Sequence, residues 1–147
     1  MGYTHYWRNP EGFSETQWIA IIADVRKLFA ALPDHSDSSG AYHSGDPLAI
    51  DDQKGGPPVC GTKQIWFNGG GGHDLNHETF VMVPRPDNFA FCKTARKPYD
   101  LVVQAVLLVA KHHKPDLYVS SDGDYDEWEE ARKWAQKTLG YDDGFDI

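Results

Sequence analysis

Lys93, Arg96 and Lys97 stand within five residues of the segment FCKTARKPYD (91–100), and the apolar run LVVQAVLLVA follows at once. The free N–H groups of a helix start are already electropositive, so cations there are disfavoured by about 0.3–1 kcal/mol each unless an anion lies among them. A phosphate would suit these residue types. It could take backbone N–H groups, the planar fork of Arg96, the two ammonium groups and the Thr94 hydroxyl together. Asp100 offsets part of the charge from within the chain. The bland alternative is a solvated basic turn, and the spelling matches neither GxxxxGK[ST] nor a GxGxxG between strand and helix.

Other stretches carry weaker chemistry. Four glycines at 69–72 permit close backbone approach, as an anion nest or as a loose hairpin loop. His73 and His77 in HDLNH have the spacing of paired helical metal ligands, but the context is not helical and no third ligand is evident, so no metal is expected. His77-Glu78-Thr79 spells one HxT triplet. Two-histidine phosphoesterases need two, and the residues after His5, His43 and His112 do not supply the second. In THYW, His5 and Trp7 share one strand face and Tyr6 takes the other. An aromatic ring beside an imidazole can stack a nucleobase or simply edge a core. Ser120, Ser121 and Asp122 of SSDGD either cap the last helix or meet ribose hydroxyls. Cys60 and Cys92 read as lone thiols, with no CxxC pair for zinc. No GxSxG or activated-cysteine pattern occurs, and no cofactor is implied.

These residues must be positioned by an alternation of short elements. Residues 2–8 read as a strand, and Asn9-Pro10-Glu11-Gly12 as a turn. Ser14 with Gln17 has capping-box spacing, and Trp18, Ile22, Val25, Phe29 and Leu32 then form one helical face ended by Pro33. Residues 34–58 form a long loop rich in Asp, Ser, Gly and Pro, with Tyr42, Leu48 and Ile50 as anchors. Strands are expected at 62–68, over ETFVMVP and over FAFCK, the first two as a hairpin. Pro98 suits the first position of a helix from about Tyr99 to Lys111, apolar nearly all round and hence central. A strand at Leu117–Ser120 and a helix from Tyr125 to Leu139, closed by Gly140, complete the order. The acidic tail 141–147 is expected to fray. The fold class is α+β: a single domain with a mostly antiparallel sheet and about three helices packed on it.

At 147 residues the chain suffices for one domain with a sizeable core. A net charge of -8 argues against duplex nucleic acid and against an anionic membrane surface as partners. No apolar run is long enough to span a membrane and no signal-peptide core opens the sequence, so a cytoplasmic protein is expected.

The opening GYTHYW, the central IWFNG, the FCKTARKPYD block, AKHH and VSSDGDYDEWEEA together resemble a family of small phage and bacterial proteins, largely uncharacterised. The likeness covers most of the chain apart from 34–58. The chain also looks like the phage sponges that sequester nucleotide immune signals, of the anti-Thoeris and anti-CBASS type. That resemblance implies a small, non-catalytic, often oligomeric protein in the host cytoplasm. It would hold a cyclic ADP-ribose isomer, an ADP-ribose conjugate or a cyclic dinucleotide, and a homo-oligomer is among the expectations. The candidate contacts, chosen for their chemistry, begin with Lys93, Arg96 and Lys97 for phosphate and Thr94 as donor. Trp7 or Tyr6 would stack a base, while His5, His77 and Tyr99 would add polar contacts. Asn68, Ser121 and Asp122 complete the set. One alternative is a phosphodiesterase using His77 or His5 as acid or base, with Lys93 or Arg96 on the phosphorane-like charge. Another is an interaction protein that blocks a host factor through exposed aromatics.

Overall fold

The computed structural model describes residues 2–36, 46–72 and 74–141. Tyr42, His43, His73, the middle of the 34–58 loop and residues 142–147 therefore lie outside the described residues. The order is β1 (Thr4–Asn9), α1 (Glu15–Ala30), β2 (Ile50–Asp51), β3 (Val59–Cys60), β4 (Ile65–Gly69), β5 (Phe80–Met82), β6 (Asp87–Lys93), α2 (Asp100–His113), β7 (Tyr118–Ser121), and α3 (Glu129–Leu139). A single 3-10 turn, Asp126–Trp128, leads into α3. The α+β expectation holds, with every strand pairing antiparallel, but the strands divide into two small sheets.

In the first sheet β1 lies between β6 and β7. Its register sets Tyr6 across from Phe91 on one side and Ser120 on the other. Strand alternation then sends His5, Trp7 and Asn9 inward and Tyr6 and Arg8 outward. In the second sheet β4 pairs with β2, β3 and β5. Aromatic contacts join the two sheets and α1. The Trp7 and Phe80 rings lie 5.1 Å apart, as do those of Phe67 and Phe80, and Phe29 meets Phe67 edge-on at 5.5 Å.

Ser14 caps α1 as the spacing predicts. Its hydroxyl accepts from the Gln17 N–H at 3.1 Å, and Gln17 Oε1 accepts from the Ser14 N–H at 2.9 Å. Such a cap contributes about 1 kcal/mol. Every residue of α2 from Asp100 to Ala110 is buried, with α1 and α3 packed against it. The 34–58 loop is pinned near its ends, where the Leu48 N–H donates to Asp34 O at 2.7 Å and Leu48 is buried. No helix among the described residues is long and apolar enough to cross a membrane.

Candidate functional site

Residues of three stretches singled out in the sequence, THYW, FCKTARKPYD and SSDGD, converge on one buried polar network. Asp100, in the first turn of α2, accepts from Thr94 Oγ1 at 2.5 Å and from Gln104 Nε2 at 3.0 Å. His5 Nε2 lies 2.6 Å from Asp100 Oδ1, and His5 Nδ1 lies 2.7 Å from Ser121 Oγ. Ser121 Oγ also accepts from the Gly123 N–H at 2.8 Å and from Trp128 Nε1 at 3.2 Å. The Asp100 carboxylate only accepts, so the hydrogen between it and His5 sits on Nε2. Ser121, His5 and Asp100 follow one another in the order of a hydrolytic triad. However, His5 is fully buried with both ring nitrogens committed, and Ser121 Oγ is occupied by N–H donors. The series is a strut joining β1, β7 and α2. His5 and Ser121 are thus placed together, facing each other and not a ligand.

The cations of 93–97 do not surround a common guest, and this corrects the anion expectation. Arg96 lies over the Tyr3 ring, 3.9 Å from its centre, and pairs with Glu127 at 2.5 Å. Lys97 reaches Asp74 at 3.6 Å, and Lys93 runs beside Gly2. The helix tip is spent as well. α2 begins at Asp100, two residues after Pro98, and its first N–H groups bond back to Lys97 O, Pro98 O and Tyr99 O. The N–H groups of Thr94 and Ala95 donate to Tyr3 O, and that of Lys97 to Thr94 O. Backbone economy replaced the phosphate: Ala95 and Arg96 adopt left-handed φ values of 53° and 60° to make this turn. A cleft of about 460 Å³ does open beside Arg96 and Gln104, but five carboxylates line it, Asp100, Asp126, Glu127, Glu129 and Glu130, against the two cations Arg96 and Lys133. Burial, with Asp100 and Glu127 adding, keeps the Tyr3 hydroxyl protonated far above the usual phenol range. Such a cleft repels a phosphate.

Several other candidates are structural. Trp7 is 2% exposed and packed on Phe80, so it cannot stack a base. Tyr99 is buried, and its hydroxyl donates to Glu78 O at 2.6 Å. Thr94 is buried and committed to Asp100. Asn68 is buried and clamps the 77–79 segment to β4. Its amide donates to His77 O at 2.9 Å and Thr79 Oγ1 at 3.1 Å, and its oxygen accepts from the His77 N–H. His77 is thereby held through its backbone while its side chain is exposed. Asp122 accepts from the Thr4 N–H at 3.0 Å, so it ties the SSDGD turn to β1 and does not cap the last helix. The glycine run also serves the chain itself: a Cβ on Gly69 would lie 2.0 Å from Leu75 O. Among the described residues no cluster of three His, Cys, Asp or Glu is placed to hold a metal ion.

Tyr6 is the exception. It lies on the outer face of the first sheet in a hollow of about 330 Å³ with Arg8, Phe89, Tyr118 and Ser120. The Tyr6 and Phe89 rings are 6.5 Å apart, and Phe91 lies 5.5 Å beyond Phe89. Phe89 is 61% exposed and Phe91 50% exposed, large apolar rings offered to solvent. The Arg8 guanidinium lies over Tyr118, 4.2 Å from the ring centre, and meets no carboxylate among the described residues. The pairing register sets Lys93 on this same face, across from Thr4. Of the residues singled out in the sequence, Tyr6, Ser120 and Lys93 belong here; Arg8, Phe89 and Tyr118 emerge from the sheet register. The alternation Phe89-Ala90-Phe91-Cys92 was their one signal, since it leaves both strand faces apolar.

No family model, no curated protein and no solved structure matches the chain.

Proposed function

We propose that the protein binds and holds a small phosphorylated nucleotide-derived molecule on the outer face of the β6-β1-β7 sheet, without transforming it. The base lies among Tyr6, Phe89 and Tyr118, and the phosphate meets Arg8, with Lys93 further along the face. Ser120 gives a hydroxyl to the sugar or base. The observation that carries this reading is Arg8, a guanidinium set on an aromatic ring with no carboxylate at ion-pair distance among the described residues, beside rings left open to water. Stacking on aromatic side chains contributes about 1–3 kcal/mol per base, and a guanidinium favours phosphate. An acidic chain with one such face takes a small anion while repelling long nucleic acid. Sequestration of an immune signal in the host cytoplasm gives such binding a purpose, in keeping with the sponge resemblance.

A phosphodiesterase at His5 lacks a free ring nitrogen. The exposed Phe89 and Phe91 favour one second reading, a docking face for a protein. The test is a thermal-shift screen of nucleotides followed by chromatography of the ligand after denaturation. Stabilisation with intact ligand recovered supports binding and holding. A cleaved product, or no stabilisation by any nucleotide alongside capture of a protein partner, rejects it.

A further inference from the structure

The cleft beside Arg96 turns a phosphate away, and its charge suits a cation. Its carboxylates outnumber its cations by three, and it shares no lining residue with the aromatic hollow. Both cations are engaged already. Arg96 pairs with Glu127 at 2.5 Å, and Lys133 with Glu129 at 2.8 Å one helical turn away. Asp126 is exposed and meets no cation among the described residues. Burial grades across the lining residues. Tyr3, Asp100 and Gln104 are buried, Glu127 and Glu130 half-buried, and Asp126 and Glu129 exposed. The cleft thus has a buried inner end and a charged mouth.

Acidity alone would mark only a solvated face, but the inner end adds an independent feature. Gln104 is fully buried, and its Nε2 donates to Asp100 Oδ2 at 3.0 Å and to Glu127 O at 3.4 Å. Its Oε1 is buried and receives no hydrogen bond. Turning the amide over supplies no donor, because the oxygen would then face a carboxylate and a carbonyl, which only accept. Buried polar groups nearly always have a partner, so this acceptor calls for one. That partner must bring a hydrogen and, against the surplus of carboxylates, a positive charge. A bare metal ion brings no hydrogen, and among the described residues no three of His, Cys, Asp and Glu are placed to hold one.

We propose that this cleft binds a primary aliphatic diamine or polyamine. One terminal ammonium donates to Gln104 Oε1 at the inner end. A second lies at the mouth by Asp126, where no cation of the described chain competes. Each ammonium carries three donors, enough for the orphan oxygen and the carboxylates around it. The net charge of -8 draws such a cation from solution. Amine binding here is independent of any nucleotide on the outer sheet face.

Calorimetric titration of the whole chain with hexamethylenediamine, with hexamethonium and with magnesium chloride, at matched ionic strength, tests this. All three cations carry two charges, but only the diamine carries N–H donors. The wild type is expected to bind the diamine at least tenfold more tightly than either of the others. Asp126→Asn is expected to weaken the diamine at least fivefold. Glu15→Gln makes the same change of charge at an exposed position outside the cleft and should leave its affinity within twofold. Gln104→Met should lower the diamine to the level of hexamethonium. Where a melting curve shows that this variant does not fold, the wild-type and Asp126→Asn titrations decide. Equal affinity for the three cations, no binding of the diamine, equal effects of Asp126→Asn and Glu15→Gln, or undiminished diamine binding by a folded Gln104→Met overturns the inference.

Discussion

Removing the Asp100 carboxylate should unfold the convergence of the three motif segments. In Asp100→Ala, His5 Nε2, Thr94 Oγ1 and Gln104 Nε2 lose the acceptor they share at 2.6, 2.5 and 3.0 Å. Each buried donor left unmet costs about 1–3 kcal/mol. The three costs do not simply add, because water can enter from the cleft beside Gln104, and a total of about 3–5 kcal/mol is expected. Asp100→Asn is the calibrating variant. Its oxygen still accepts from His5 and Thr94, and its new amide needs an acceptor. Gln104 Oε1 is buried and has no partner, so turning the Gln104 amide over supplies one. The expected cost falls to about 1–2 kcal/mol. Urea unfolding reads both, and for a slope near 2 kcal/mol/M the alanine variant shifts the midpoint by about 2 M. A loss below about 1 kcal/mol for Asp100→Ala, or equal losses for the two variants, refutes the network as the strut of this fold.

Other outcomes follow from the same coordinates. Burial pushes the Cys60 thiol up to about 11 and the Cys92 thiol higher still, so neither is expected to react with an aromatic disulfide reagent at pH 8 until urea unfolds the chain. Burial alone would raise Asp24, but hydrogen bonds from Tyr141 and His113 and the nearby charges of His113 and Lys27 hold its carboxyl below the usual range. The stability it contributes is therefore complete above the unfolded pKa of about 3.9 and lost as pH falls through the folded value, so Asp24→Asn should flatten the acid limb of a midpoint-against-pH curve. Ala95 sits at a left-handed φ of 53°. Ala95→Gly should stabilise by up to about 1 kcal/mol and Ala95→Val destabilise by more than about 1 kcal/mol in the same urea assay.

Much of the fold was readable because its signals are local. The Ser14–Gln17 box, the apolar stripe of α1 and the all-round apolar α2 each reflect contacts within a few residues of one another; the box and α2 appear where expected, while α1 ends at Ala30, short of Leu32, and buries Ile21 and Leu28 with Trp18, Ile22 and Val25. The division into two sheets was not readable, because strand pairing is set by long-range packing such as Trp7 on Phe80. Alternation told that His5 and Trp7 share a face, and only burial against α2 and the second sheet decides that it is the inner one. The helix-tip expectation went astray for an instructive reason. Counting N–H groups from sequence assumes that they are free, whereas the tight turn before Asp100 consumes them. Likewise, Glu127 and Asp74 lie 31 and 23 residues from Arg96 and Lys97, too far in sequence to be recognised as their partners. Arg8 offered no motif at all; its significance is that no described carboxylate pairs with it, visible only in three dimensions.

Nucleotide affinity measured on two arginine variants bears most directly on where the ligand sits. Arg8→Ala should weaken binding of adenosine monophosphate at least tenfold, with Tyr6→Ala doing the same, because phosphate and base each lose their contact. Arg96→Ala should leave the affinity within twofold, because that guanidinium is already paired with Glu127 above an acidic cleft. Loss of binding in Arg96→Ala with Arg8→Ala unaffected would move the ligand to the cleft and contradict the outer-face site.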